Sequence, residues 1–264
     1  MTTPLPSLQI RWVTVFLDYP AEGVEAGTRF WQRVTGYGLS PVRGEHGQFA
    51  TLLPPDGDAY LRLQRLGEGV ARVHLDLNLD LSTTTLDDAG AVAVELGAAV
   101  LRTDDQVVVL ESPGGFVFCL VGWDGERVPP APVTSGAAGA QRADQVCLDI
   151  PPGLEDAERA FWAALTGWTP RASSVSNEFS SLDRPSEIPV RMLFQRRREA
   201  GPGNRVSAHV DFACDDREAL VEQHASAGAV ELHRGPVWIT LREPGGQIYC
   251  LTGRDPRTGK VPPR

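Results

Sequence analysis

Histidine and aspartate recur two residues apart in two places, His74-Leu75-Asp76 and His209-Val210-Asp211. Both lie where apolar and polar residues alternate, in RVHLDLNL and SAHVDFAC. A strand points successive side chains to opposite faces, so each imidazole shares a face with its carboxylate. Such a pair can serve as a general base, or it can give two ligands to a metal ion. The plainer reading is a histidine hydrogen-bonded to a neighbour on a solvated sheet face, and the residues alone leave both open. His74, His209, Asp76 and Asp211 are the candidate catalytic groups.

The same alternation supplies their surroundings. Tyr60, Arg62 and Gln64 share a face in YLRLQRL, and Asn78 follows Asp76. The second half offers Arg191 and Gln195, then Trp238, Thr240 and Arg242 from VWITLRE. With Trp12, these are the candidate ligand-binding residues. Arginine clamps carboxylates bidentately, and tryptophan stacks on planar molecules. Trp31 and Trp162 stand at helical spacing beside phenylalanines and read as core. Cys119 and Cys250 lie between apolar residues on closing strands and read as packing. His46, His224 and His233 fall in loops or on helix faces and have no assigned role.

Several chemistries fall away. Four cysteines, at 119, 147, 214 and 250, show no CxxC spacing, which argues against a disulfide framework or a zinc ribbon. There is no GxGxxG, GxxxxGK[ST], GxSxG or HExxH, so dinucleotide, nucleoside-triphosphate and serine-hydrolase sites are not expected. A formal net charge of -9 disfavours binding to nucleic acid or an anionic membrane. No apolar run reaches the roughly 18 residues that span a bilayer. The start, MTTPLPSLQI, has no secretion-signal pattern, so the expected location is cytoplasmic.

The elements that position these residues come in copies. Phe30-Trp31 matches Phe161-Trp162, a shift of 131 residues (162 minus 31), and Thr35-Gly36 matches Thr166-Gly167. HLDL at 74–77 matches HVDF at 209–212, and ESPGGFVFCL matches REPGGQIYCL. At 264 residues the chain is about right for two domains. They are set at 8–127 and 142–264, joined by a Pro-, Gly- and Ala-rich linker at 128–141. Within each half a strand leads to a helix and then to further strands, and that order is repeated. The expected fold is α+β: two tandem domains, each a pair of βαβββ modules forming a curled, mixed or antiparallel sheet around a cleft, with helices outside.

This order resembles the vicinal oxygen chelate superfamily, which includes glyoxalases, bleomycin-resistance proteins and extradiol dioxygenases. The resemblance rests on Phe-Trp…Thr-Gly in the first helix of each half, His-x-Asp on the fifth strand, and Pro-Gly-Gly before the last strand. It covers roughly 10–125 and 142–255. It implies metal ligands on the first, fourth, fifth and eighth strands, typically His or Gln, Glu, His and Glu. Carried over, the fifth-strand positions are His74 and His209, and the fourth-strand positions fall near Gln64 and Gln195. The eighth-strand positions fall on Cys119 and Cys250. The first-strand positions fall near Trp12 or Val13 and near Ala143 or Asp144. Two of four positions depart from the pattern.

The resulting expectation is a small-molecule-binding protein, sequestering a drug or metabolite, with degenerate metal sites and no cofactor. The alternative is a metal-dependent glyoxalase, lyase or dioxygenase, with Mn, Fe, Ni or Zn held by His74 and Gln64 or by His209 and Gln195. Whether the chain is an enzyme stays open at this stage. The expected partner is a small-molecule ligand or substrate, with no nucleic acid and no membrane, and the chain is a monomer or a homodimer.

Overall fold

The structure, a computed structural model, describes residues 7–173 and 176–262. The first module runs β1 (Ile10–Tyr19), α1 (Val24–Thr35), β2 (Gly38–Leu39), β3 (Phe49–Leu53) and β4 (Leu61–Arg65). The second runs β5 (Arg72–Leu79), α2 (Leu86–Glu95), β6 (Ala99–Thr103), β7 (Val107–Glu111) and β8 (Val117–Gly122). After β9 (Val133–Thr134), the third runs β10 (Ala140–Ile150), α3 (Glu155–Thr166), β11 (Thr169–Ala172), β12 (Phe179–Asp183) and β13 (Arg191–Arg196). The fourth runs β14 (Ser207–Cys214), α4 (Arg217–Ser226), β15 (Val230–Arg234), β16 (Trp238–Arg242) and β17 (Ile248–Thr252).

The βαβββ plan is therefore used four times, in an α+β fold with two tandem sheets. The strand orders are β2-β3-β4-β1-β5-β8-β7-β6 and β11-β12-β13-β10-β14-β17-β16-β15, and neither sheet closes into a barrel. The pairings are mixed. β1 with β4 and β5 with β8 are parallel, while β7 with β8 is antiparallel. The helices stop where the sequence places glycine. Gly36 and Gly167 both cap in the left-handed region, at φ 69°, where glycine carries no Cβ penalty. Thr85 caps α2 through Asp88 N–H, and Asp216 caps α4 through Glu218 and Ala219 N–H.

The compact units of the chain do not coincide with its duplicated halves. One unit comprises the stretch ending at Thr14, then His74–Arg127 and Cys147–Ala208. The other comprises Val15–Val73, Val128–Val146 and the chain from His209 onward. Each unit thus draws on one module from either half.

In the unit that contains α3, Phe161 and Trp162 seat against Phe118 of β8, with ring centroids 5.7 and 5.0 Å apart. Trp162 N–H donates to buried Glu158 at 2.9 Å, and the same carboxylate accepts Gly114 N–H at 2.7 Å. Glu158 thereby anchors the Ser112–Gly115 turn, which is closed by Gly115 N–H to the Ser112 carbonyl and has Gly115 at φ +82°. Burial pushes the Glu158 carboxyl up. An acid near the start of a helix ordinarily serves the helix dipole, but Glu158 is fully buried and works at long range.

In the unit that contains α1, Trp31 stacks on Phe212 at 5.7 Å, and Phe30 packs against Tyr249 at 5.5 Å. Here the turn spans Glu243–Gly246, and Glu243 itself accepts Gly245 and Gln247 N–H at 2.6 and 2.7 Å. His224, assigned no role from sequence, is fully buried in this core. Its Nδ1 lies 2.9 Å from Tyr249 Oη and its Nε2 3.0 Å from Gln141 Oε1. Gln141 Nε2 in turn donates to the Val34 carbonyl at 2.9 Å. The stretch expected to be linker and first-strand lead is thus structured, and β10 begins at Ala140. It holds a buried ion pair as well: both terminal guanidinium nitrogens of Arg254 reach Asp144, at 2.6 and 2.8 Å.

These buried groups set two expectations for stability. Asp144→Ala leaves Arg254 as an uncompensated buried cation and is expected to cost about 3–5 kcal/mol in urea unfolding. Burial lowers the His224 pKa to about 4, below the unfolded value of about 6.5. The unfolded chain therefore binds the extra proton. This group's contribution is complete above pH 6.5 and is lost as pH falls towards 4, by about 3 kcal/mol. Paired unfolding curves at neutral and acidic pH should show that loss in the wild type and not in His224→Gln.

Candidate functional site

β14 is buried on both faces from His209 to Cys214. Its even-numbered residues turn Phe212 towards Trp31 of α1, so His209 and Asp211 face the other way. Both are buried, at 8% and 3% exposure, and the solvated face considered from sequence is absent here. His209 Nε2 lies 3.2 Å from Asp211 Oδ1. Asp211 Oδ2 accepts the Gln145 side-chain amide. Asp211 Oδ1 is buried with no hydrogen-bond partner. Parallel pairing of β14 with β17 sets Cys250 directly beside Asp211. β16 then sets Thr240 opposite Cys250, with Oγ1 3.4 Å from Sγ. Burial pushes the Cys250 thiol up, and the neighbouring His209 opposes that shift.

The homologous cluster on β5 and β8 repeats the plan with different supports. His74 and Asp76 are each 6% exposed, and Nε2 lies 3.6 Å from Asp76 Oδ1. Cys119 pairs with Asp76 across the parallel strands. Burial pushes the Cys119 thiol up, with a hydrogen bond to His74 opposing it. Val109, not a hydroxyl residue, stands opposite Cys119. Thr14, which matches Gln145 at the 131-residue shift, donates to Asn78 Oδ1 at 3.3 Å. In both clusters one atom each of His, Asp and Cys lies within 4.8 Å of the others. Imidazole, carboxylate and thiolate together suit a borderline or soft divalent ion, and the orphaned Asp211 oxygen is the kind of atom such an ion would satisfy.

The other residues singled out from sequence have partners of their own. Tyr60 is 1% exposed, and its hydroxyl donates to the Ala143 carbonyl at 2.5 Å. Trp12 is fully buried. Arg62 lies over the Phe16 ring at 5.9 Å, and Gln64 pairs with Asp18 and Phe49 in register. Gln195 Oε1 faces Cys147 Sγ at 3.8 Å, and Arg191 is half-buried on the same strand. Trp238 lies over Gly235, where a Cβ would meet the indole at 2.4 Å. Arg242 is exposed at the end of β16. Gln64 lies on β4, in the sheet that carries His74 on β5, and Gln195 on β13, in the sheet that carries His209 on β14. Asp144, a first-strand position carried over from the resemblance, is engaged by Arg254. Gln145 was missed. The signal for it was the alternation of QVCLDI, which sets Gln145, Cys147 and Asp149 on one face.

A family model described as "Glyoxalase-like domain" matches residues 14–121 and again 145–252. The chain belongs to that glyoxalase-like family. It is a tandem-domain member of the vicinal oxygen chelate superfamily. Similar solved structures include the Mn(II)-bound glyoxalase from Novosphingobium aromaticivorans, with TM-score 0.61 and 18% identity, covering 97% of this chain and 88% of that one. Another is 2,2',3-trihydroxybiphenyl 1,2-dioxygenase from Sphingomonas wittichii strain RW1, with TM-score 0.60 and 15% identity, covering 94% and 90%. A third is an extradiol ring-cleaving dioxygenase from B. fuscum, with TM-score 0.61 and 15% identity, covering 97% and 76%. At these identities the likeness concerns the fold. No curated protein matches the chain. No helix among the described residues is long and apolar enough to cross a membrane.

The geometry of this glyoxalase-like protein predicts silent thiols. All four cysteines are buried. At about neutral pH, iodoacetamide is expected to leave the native protein unlabelled and to modify every cysteine in urea. Rapid native labelling of Cys119 or Cys250, read by mass spectrometry, would contradict the closed clusters described here.

Proposed function

We propose that this glyoxalase-like protein is a metal-dependent enzyme acting on a small, oxygen-bearing organic molecule. The observation that supports it is the convergence of a buried His, Asp and Cys, with donor atoms within 4.8 Å of one another, on neighbouring strands. Three protein ligands leave a position for water or substrate. His209, Asp211 and Cys250, or His74, Asp76 and Cys119, would hold the ion. Bound there, the ion supplies a Lewis acid that polarises a substrate oxygen. The chain's own groups do the rest. Gln145 fixes the Asp211 carboxylate, Thr240 sits against Cys250, and burial keeps bulk water from the donors. A divalent ion is favoured over none because the carboxylate beside each histidine gives a hard donor, and the similar solved structures include a Mn(II)-bound glyoxalase.

A second reading, sequestration of a small molecule without turnover, is supported by one observation. Burial pushes both thiols up, and a neutral thiol is a poor ligand. Elemental analysis of protein purified without a chelating column separates the two. Near-stoichiometric transition metal, lost in the double variant His74→Ala/His209→Ala together with any glyoxalase, lyase or dioxygenase turnover, is the expected outcome. A metal-free protein whose melting temperature ignores added Zn, Mn, Fe or Ni would support sequestration instead.

A further inference from the structure

Building on the metal-dependent reading above, we propose that the two homologous clusters have diverged. His209, Asp211 and Cys250 bind one zinc-class ion through imidazole, carboxylate and thiolate. His74, Asp76 and Cys119 bind it far more weakly.

The ligand atoms are alike in the two clusters, but their supports are not. Asp211 is held from one side by the Gln145 amide. Its other oxygen is left buried, without a hydrogen-bond partner, 3.2 Å from His209 Nε2. A buried carboxylate oxygen that makes no hydrogen bond is costly unless charge faces it. Among the described residues only the His209 imidazole and the more general field of Arg254 do so, a place a bound cation would fill. Two donors on one tetrahedral ion, with bonds of about 2.0–2.1 Å, stand about 3.3 Å apart. Both His–Asp spacings, 3.2 Å in the second cluster and 3.6 Å in the first, lie near that, so it is the supports that separate the clusters. Around the sulfur, the Thr240 hydroxyl lies 3.4 Å from Cys250 Sγ and can donate to a thiolate. Val109 holds the same place beside Cys119 and offers no donor. Thr14, in the place of Gln145, gives its hydroxyl to Asn78. Ala213, which stands where Asn78 does in the other half, has no side-chain acceptor to compete for Gln145.

Charge and softness set the metal class. The thiol proton leaves to solvent on binding. A divalent ion with one thiolate, one carboxylate and a neutral imidazole is then charge-neutral, which a buried site tolerates. Thiolate with imidazole selects zinc-class ions over Mg or Mn. Supporting hydrogen bonds of the Gln145 and Thr240 kind typically govern affinity by about 10–100-fold.

The test is titration of the chelator-treated full chain with cobalt(II), which reports a bound thiolate by a charge-transfer absorption in the near ultraviolet, followed by displacement with zinc(II). The expected result is one equivalent of cobalt per chain. The band is lost in Cys250→Ser and kept in Cys119→Ser, and affinity falls about 10–100-fold in Gln145→Ala and Thr240→Val. Two equal equivalents, or a band that survives Cys250→Ser and disappears in Cys119→Ser, would overturn the divergence while leaving the metal-dependent reading intact. No cobalt bound at all would overturn both. If Cys250→Ser does not fold, the wild-type stoichiometry and the Cys119→Ser band still decide the matter.

Discussion

Burial of β5 and β14 on both faces governs this molecule. One face of each carries apolar residues that meet the hydrophobic core. Phe212 of β14 lies under Trp31, and β5 is apolar at Val73, Leu75, Leu77 and Leu79. The opposite face carries His and Asp, which are polar and buried as well. A polar group withdrawn from water must find a partner or bear a cost. That requirement pulls Gln145 onto Asp211 and Thr14 onto Asn78. It also leaves one Asp211 oxygen orphaned beside an imidazole and a thiol. The divergence proposed between the two clusters draws in part on that atom.

The same requirement shows how two copies of one plan can reach one end by different residues. Both Pro-Gly-Gly turns must satisfy a buried glycine N–H. In the fourth module the turn's own Glu243 reaches it. In the second module serine stands in that place, and Glu158 of α3 supplies the carboxylate. Each acid has its carboxyl pushed up by burial, and each is linked to a helix tryptophan. Glu158 accepts Trp162 directly. Glu243 has Tyr19 as a hydrogen-bond partner, and Tyr19 accepts Trp31 at 2.7 Å. The two His-Asp-Cys clusters follow the same logic, with shared primary residues and diverged supports.

Much of the fold could be read locally because it is set by near-neighbour spacing. The 131-residue shift, the glycine stops at Gly36 and Gly167, and the span of β14 all follow from period and turn chemistry. The face shared by His74 with Asp76 and by His209 with Asp211 follows from the two-residue repeat of a strand. The roles of Glu158, His224, Asp144 and Gln145 were not readable in this way. Their partners lie 44, 83, 110 and 66 residues away; alternation in QVCLDI gives the face of Gln145 but not the carboxylate it meets.

The fourfold module, its α+β class and the residues that share a strand face were all legible in the chain before folding, because they are matters of period and of backbone stereochemistry. What covers each face came from the folded molecule. Alternation says that His209 and Asp211 point the same way. Strand pairing alone puts Cys250 and Thr240 beside them, and burial alone makes a lone carboxylate oxygen there a matter of energy.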